Sequence, residues 1–168
     1  MAALPLLSKD GYVLILYGDQ PFIQPVTLEK ILHIAKEFNP TLIQSTIVLP
    51  HFEGWYSVFF AFGRIVRNAM GELEKIVEYK NASNAERALT EVNPGLLAVK
   101  ASWLHQALVR IQPNEVNQEL YLTDLVSIAK EDGVKIETIT LEAFEALGIN
   151  SPEDAQLALE VISNACSV

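Results

Sequence analysis

The run Val13-Leu14-Ile15-Leu16, followed by Tyr17-Gly18-Asp19, constrains this chain more than any other stretch. Four strand-forming apolar residues in a row are the pattern of a central parallel strand covered on both faces. Gly18 lets the backbone leave the sheet with no side chain in the way. Asp19 then arrives at the carboxyl end of the strand, where open α/β sheets build their ligand sites. A carboxylate at that point suits a metal–phosphate substrate, because hard oxygen ligands suit Mg²⁺. The same aspartate, just ahead of Pro21, fits equally well as the opening of a turn.

Strand-like and helix-like segments alternate along the rest of the chain. Leu28, Ile31, Leu32 and Ala35 fall at helical spacing within 27–38, and Pro40 marks the end of that helix. Residues 41–49 are β-branched and apolar enough to be the next strand. Residues 51–62 have no clean period and carry Trp55, Tyr56, Phe59, Phe60 and Phe62, which reads as a strand plus loop. Residues 64–67 and 73–80 flank Asn68-Ala69-Met70-Gly71 as a hairpin. Ser83-Asn84-Ala85-Glu86 is a capping box that opens a short helix.

Further on, 95–99 reads as a strand, and 102–111 and 121–131 as helices, the second closed by Asp132-Gly133. Residues 134–141 alternate as a half-exposed edge strand does. Ser151-Pro152-Glu153-Asp154 is a helix start, with Ser as cap, Pro in the first turn and two acids at the positive end of the dipole. This alternation predicts an α/β layered domain with a mostly parallel sheet and one inserted hairpin.

At 168 residues, half of them hydrophobic and a fifth charged, the chain has the size and composition of one globular domain and not of a disordered segment. Lys plus Arg number 12 against 21 Asp plus Glu, a net charge of −9. That balance argues against nucleic-acid backbones and anionic membranes as partners. One cysteine, Cys166, excludes a disulfide framework. Residues 1–7 are apolar but lack a basic start and contain Pro5, so they read as the end of a helix or a loop, not a signal peptide. No run reaches bilayer-spanning length, and a cytoplasmic location is expected. His33, His51 and His105 share no spacing and are read as structural or surface residues.

Six segments in order carry a family resemblance: Leu16-Tyr17-Gly18-Asp19, Phe62-Gly63-Arg64-Ile65-Val66-Arg67, Ile76-Val77-Glu78-Tyr79-Lys80, Glu91-Val92-Asn93-Pro94-Gly95, Tyr121-Leu122-Thr123-Asp124 and Leu147-Gly148-Ile149-Asn150. Together they resemble the nucleotidyltransferase (pyrophosphorylase) domain of bacterial N-acetylglucosamine-1-phosphate uridyltransferase. The resemblance implies a Rossmann-like, three-layer α/β fold with a mostly parallel mixed sheet. It implies transfer of uridylyl from UTP to N-acetylglucosamine-1-phosphate, giving UDP-N-acetylglucosamine and pyrophosphate with Mg²⁺ as cofactor. Asp19 and Asn150 would be the metal ligands. On its sequence position alone, Asn150 also fits a turn residue ahead of a helix. Tyr17 and Gly18 would line the uridine and ribose, Gly63 would let the backbone approach the sugar, and Glu78 and Asn93 would bond its hydroxyls or acetamido group. Residues 121–124 would position a helix beside the sugar pocket.

The chain departs from that family in ways that bear on activity. Family members open with a glycine-rich phosphate loop carrying Arg and Lys, and no such loop occurs in these 168 residues. Residues 1–168 are therefore expected to be a single partial domain that begins part-way through the family fold and is inactive by itself. Gln20 and Phe22, Pro94, the aromatic 51–62 segment and the residues after Asn150 also differ from the family pattern. The alternatives are a non-catalytic protein that binds a sugar nucleotide or a partner chain, and a fragment whose fold survives without function. An uncovered apolar flank of the sheet would follow, with the segment 55–62 covering it or driving homo-oligomer formation.

Overall fold

The computed structural model describes residues 9–114 and 118–165, in which seven strands and five α-helices form. In chain order they are β1 (Tyr12–Ile15), α1 (Pro25–Phe38), β2 (Leu42–Val48), β3 (Arg64–Arg67), β4 (Leu73–Val77), α2 (Asn84–Arg87), β5 (Glu91–Val92), β6 (Leu97–Lys100), α3 (Ala101–Ala107), α4 (Asp124–Glu131), β7 (Ile136–Thr140) and α5 (Pro152–Ala165). Residues 1–7 and Cys166 lie outside the described residues. None of the described helices is long and apolar enough to cross a membrane.

The strands form one sheet in the order β1-β6-β2-β5-β3-β4, with β7 paired to β2. Because β6 runs antiparallel to both β1 and β2, and β7 parallel to β2, the strands β1, β2 and β7 point the same way. The α/β class and its layering therefore hold, but the mostly parallel sheet does not. Among the described residues only β2 and β7 pair in parallel. Helix–strand alternation fixes the direction of successive strands, not their neighbours, and β6 returns to occupy the place between β1 and β2.

A second correction follows from the same insertion. β1 is not a central strand covered on both sides; among the described residues it pairs only with β6 and forms one edge of the sheet. Leu14 on it and Leu16 just beyond it remain 38% and 46% exposed. The central role falls to β2, six of whose seven residues are buried. Its alternate side chains serve the two faces, since successive strand residues point to opposite sides. Ile43 and Ile47 pack with Ile31 of α1 and Ala158 of α5, whereas Leu42 packs with Leu104 of α3 and Leu125 of α4. Helices thus cover both faces.

The aromatic stretch also departs from expectation. Residues Gly54–Phe59 wind into a 3₁₀ turn rather than a strand. Trp55, Tyr56, Phe59 and Phe62 stack edge-on or tilted along it and join the same hydrophobic cluster as α1 and α5. Arg64, fully buried at the start of β3, pins this stretch. Its guanidinium donates to the carbonyls of Phe60 and Phe62 and lies 4.5 Å from the Phe52 ring and 5.0 Å from the Tyr79 ring. Peptide carbonyls and ring faces satisfy a buried cation whose desolvation would otherwise be prohibitive.

The β3–β4 hairpin and the Ser83 capping box form, but the second strand, expected over 73–80, ends at Val77, and Tyr79–Asn81 wind into a 3₁₀ turn. The Ser83 hydroxyl accepts from the Glu86 amide, and the Glu86 carboxylate accepts from the Ser83 amide at 2.8 Å and from Lys75 at 2.8 Å. The Lys75 ammonium and then the Ser83 amide hold the Glu86 carboxyl down at about 2. A carboxyl depressed in the folded state stabilises the fold above its unfolded pKa, and that contribution disappears as pH falls toward 2. In an NMR titration Glu86 should protonate near pH 2, and Lys75→Met should move its midpoint up toward the ordinary carboxylate range.

Candidate functional site

The site begins with a register mismatch. Ile47 faces Val92 and Gln44 faces Leu97, so two residues of β2, Ser45 and Thr46, lie opposite four residues, Asn93 to Leu96. The returning strand is forced to bulge between β5 and β6, and bulges commonly mark functional sites. Gly95 sits in the bulge at φ +88° with the Tyr17 ring against it, close enough that a Cβ would lie 2.0 Å from Tyr17 Cε2. Gln20, itself buried, donates its Nε2 to the Pro94 carbonyl at 2.9 Å. The loop after β1 is thereby latched to the bulge at two points.

Around this junction lies a cavity of about 410 Å³. Tyr17, Asp19, Gly63, Glu78, Asn93 and Asn150 all line it. Of the residues picked out by sequence, only Gly18 is absent from the lining, and a Cβ there would meet nothing within 4 Å. Asp19 and Asn150, 131 positions apart, converge with Asn150 Nδ2 3.3 Å from Asp19 Oδ2. The backbone fixes that approach, because the Ile149 amide donates to the Asp19 carbonyl at 2.8 Å. Asp154, in the first turn of α5, accepts from the Asn150 amide at 2.9 Å and also borders the cavity.

The opposite wall comes from the β3–β4 hairpin. Gly63 precedes β3 and its carbonyl accepts from the Asn93 amide at 2.8 Å. A Cβ on Gly63 would come within 3.1 Å of Ile76 and 3.7 Å of the Glu78 carboxylate, so the hairpin approaches closely here. Glu78, just beyond β4, accepts from the Thr123 hydroxyl at 3.0 Å. Val58, Phe59, Ala61 and Phe62 make the apolar side.

Asp19, Glu78 and Asp154 face the cavity, and no Lys, Arg or His is among its lining residues. Burial and then the charges of Glu78 and Asp19 push the Tyr17 phenol up from its ordinary pKa. Burial and then Glu78 push the Asp124 carboxyl up as well. A space this negative takes an anionic ligand only with a cation to offset the charge. The donors suit one: a carboxylate and an amide oxygen are hard ligands for Mg²⁺, and a half-turn of the Asn150 amide brings Oδ1 to the side of Asp19. Among the described residues no cluster of three His, Cys, Asp or Glu side chains could hold a metal unaided. A cation at Asp19 and Asn150 would need ligand oxygens or water for the rest of its shell.

Sequence reasoning passed over Gln20, Gln44 and Asp154 as site components, whereas Thr123 belongs to the 121–124 segment expected beside the sugar pocket and does line the cavity. Asp154 occupies an ordinary helix-start position. Gln20 and Gln44 have no spacing that marks them.

A CMP:2-keto-3-deoxy-manno-octonic acid synthetase complexed with CTP superposes at a TM-score of 0.57 over 92% of this chain and 62% of that chain, at 15% identity, a likeness of fold. By sequence the chain is a partial GlmU-like nucleotidyltransferase domain. It is 42% identical over 153 residues to the bifunctional protein GlmU of Bordetella petrii and 40% identical over 159 residues to that of Cellvibrio japonicus. These matches cover 89% and 94% of the chain but 31% and 33% of the relatives, so the chain spans about a third of their length. No family model matches the chain.

Gly95→Ala tests the latch. The new methyl meets Tyr17 at a backbone angle L-residues avoid, so stability should fall by about 2–3 kcal/mol. In urea unfolding, Tyr17→Ala in the same chain should recover part of that loss, and independent, additive losses would contradict the contact.

Proposed function

We propose that this chain is the metal-and-sugar portion of a uridylyl-transfer site that handles UTP, N-acetylglucosamine-1-phosphate and UDP-N-acetylglucosamine in the cytoplasm. The observation that carries the reading is the meeting of Asp19 and Asn150 on one wall of a cavity whose other wall holds Gly63, Glu78 and Asn93. In the reaction a sugar-1-phosphate oxygen attacks the α-phosphorus of UTP. The new P–O bond forms as the bond to the β-phosphate breaks, and pyrophosphate leaves. Asp19 and Asn150 would hold Mg²⁺, which would supply positive charge to offset that of the phosphates. Tyr17 borders the uridine and ribose, with Gly18 behind it outside the cavity lining. Glu78 and Asn93 orient the sugar, with Gly63 allowing close approach of the hairpin backbone. Such transfer depends on alignment and charge stabilisation, not on a covalent intermediate.

A second reading, sugar-nucleotide binding without turnover, is favoured by the charge of the cavity. Three carboxylates and no cationic side chain line it, and the 168 residues contain no glycine-rich loop to meet a triphosphate. For this chain assayed by itself, the expected outcome is binding of UDP-N-acetylglucosamine with pyrophosphate release at background. Calorimetric titration should show that binding strengthen with Mg²⁺. Asp19→Ala should weaken the Mg²⁺-dependent part on the order of tenfold or more, the scale of one charged contact. No binding at millimolar ligand, or binding indifferent to both Mg²⁺ and Asp19, overturns the assignment. Turnover well above background settles the choice for the enzyme.

A further inference from the structure

Gln44 lies in the middle of β2, 2% exposed, and with Ser45 and Thr46 it forms a buried polar stretch in an otherwise aliphatic strand. A carboxamide in that position is costly unless its hydrogen bonds are made. Its Nε2 donates to the Ser45 carbonyl at 2.9 Å and to Asn93 Oδ1 at 2.9 Å. Asn93 Oδ1 also accepts from the Gly95 amide at 2.9 Å. An amide oxygen has two lone pairs, and both are now taken by groups that can only donate. Turning the Asn93 amide over would set its NH₂ against those same donors and leave three donors unsatisfied in a partly buried site. Asn93 therefore has one face to offer the cavity, the Nδ2 donors.

We propose that Gln44 is a positioning residue that locks the hydrogen-bond polarity of Asn93, so that the sugar end of the cavity selects a ligand presenting an acceptor oxygen to Asn93. The other side of the cavity has the complementary chemistry. Glu78 Oε1 is occupied by Thr123, and as a carboxylate Glu78 can only accept, which calls for a hydroxyl or amide donor on the ligand. A sugar bearing a hydroxyl or acyl oxygen beside a hydroxyl meets both demands. The inference rests on the sugar-nucleotide reading above and adds the residue that sets its selectivity.

The test compares affinities for UDP-N-acetylglucosamine and for UDP, each titrated calorimetrically with Mg²⁺ into the chain and into its Gln44→Met variant. Methionine keeps the volume of Gln44 and removes the donor. In the unsubstituted chain the sugar should add affinity over UDP. In Gln44→Met that increment should shrink by about tenfold, the scale of one lost hydrogen bond, while UDP binds as before. An unchanged increment, or equal weakening of both ligands, overturns the lock and leaves the sugar-nucleotide reading standing. Failure of the unsubstituted chain to bind either ligand overturns that reading and the inference with it. A measurement on the unsubstituted protein covers the case of a variant that does not fold. The Asn93 side-chain NH₂ resonances should shift on adding UDP-N-acetylglucosamine and stay in place with UDP. Resonances indifferent to the sugar contradict the proposal.

Discussion

Four residues of a returning strand set against two of β2 are the constraint on which the site depends. The excess length leaves the sheet as the Asn93–Gly95 bulge. Everything that follows braces it: the Tyr17 ring over Gly95, Gln20 on the Pro94 carbonyl, Gln44 on Asn93 and the Gly63 carbonyl on the Asn93 amide. A ladder in perfect register would leave Asn93 buried in the sheet and the loop after β1 without a neighbour. The bulge thus joins the end of β1, which carries Asp19, to the hairpin, which carries Glu78. Arg64 extends the bracing outward by fastening the aromatic stretch, so that Val58 to Phe62 stand as a fixed apolar wall.

Electrostatics then limit what the cavity can hold. Carboxylates from three separate elements face it without a cationic side chain in its lining, and the neighbouring Tyr17 and Asp124 groups are displaced toward their neutral forms. An arrangement of this kind is unfavourable while empty of positive charge and becomes favourable once a divalent ion enters with its phosphate ligands. The net charge of −9 adds to the same field. Within such a field, selectivity falls to the few groups whose polarity is fixed, above all the donor face of Asn93 and the acceptor face of Glu78.

Much of this was legible in the residues because it is local. The capping box at Ser83, the helix start at Ser151, the hairpin over 64–77 and the buried run of β2 depend on neighbours a few positions away, and all form. Asp19 and Asn150 came from motif resemblance, and the fold brings them to 3.3 Å. What failed depends on partners remote in sequence. Val13 to Leu16 is apolar enough for a central strand, yet β1 is an edge among the described residues, since hydrophobic content records no neighbour. The insertion of β6 between β1 and β2 is equally invisible to periodicity. Leu32 completes the apolar spacing of α1 but stays 57% exposed. Gln20 and Gln44 acquire meaning only from the bulge opposite them.

The claim at the centre is that one divalent ion binds where Asp19 and Asn150 meet. Titration with Mn²⁺, followed by paramagnetic broadening of the amide resonances, reads its position directly. Broadening should begin at residues 18–20 and 148–151, spread to the Asn93 bulge, and vanish in Asp19→Ala. Broadening centred instead on the exposed acidic pair Glu131 and Asp132, or insensitive to Asp19, would contradict it.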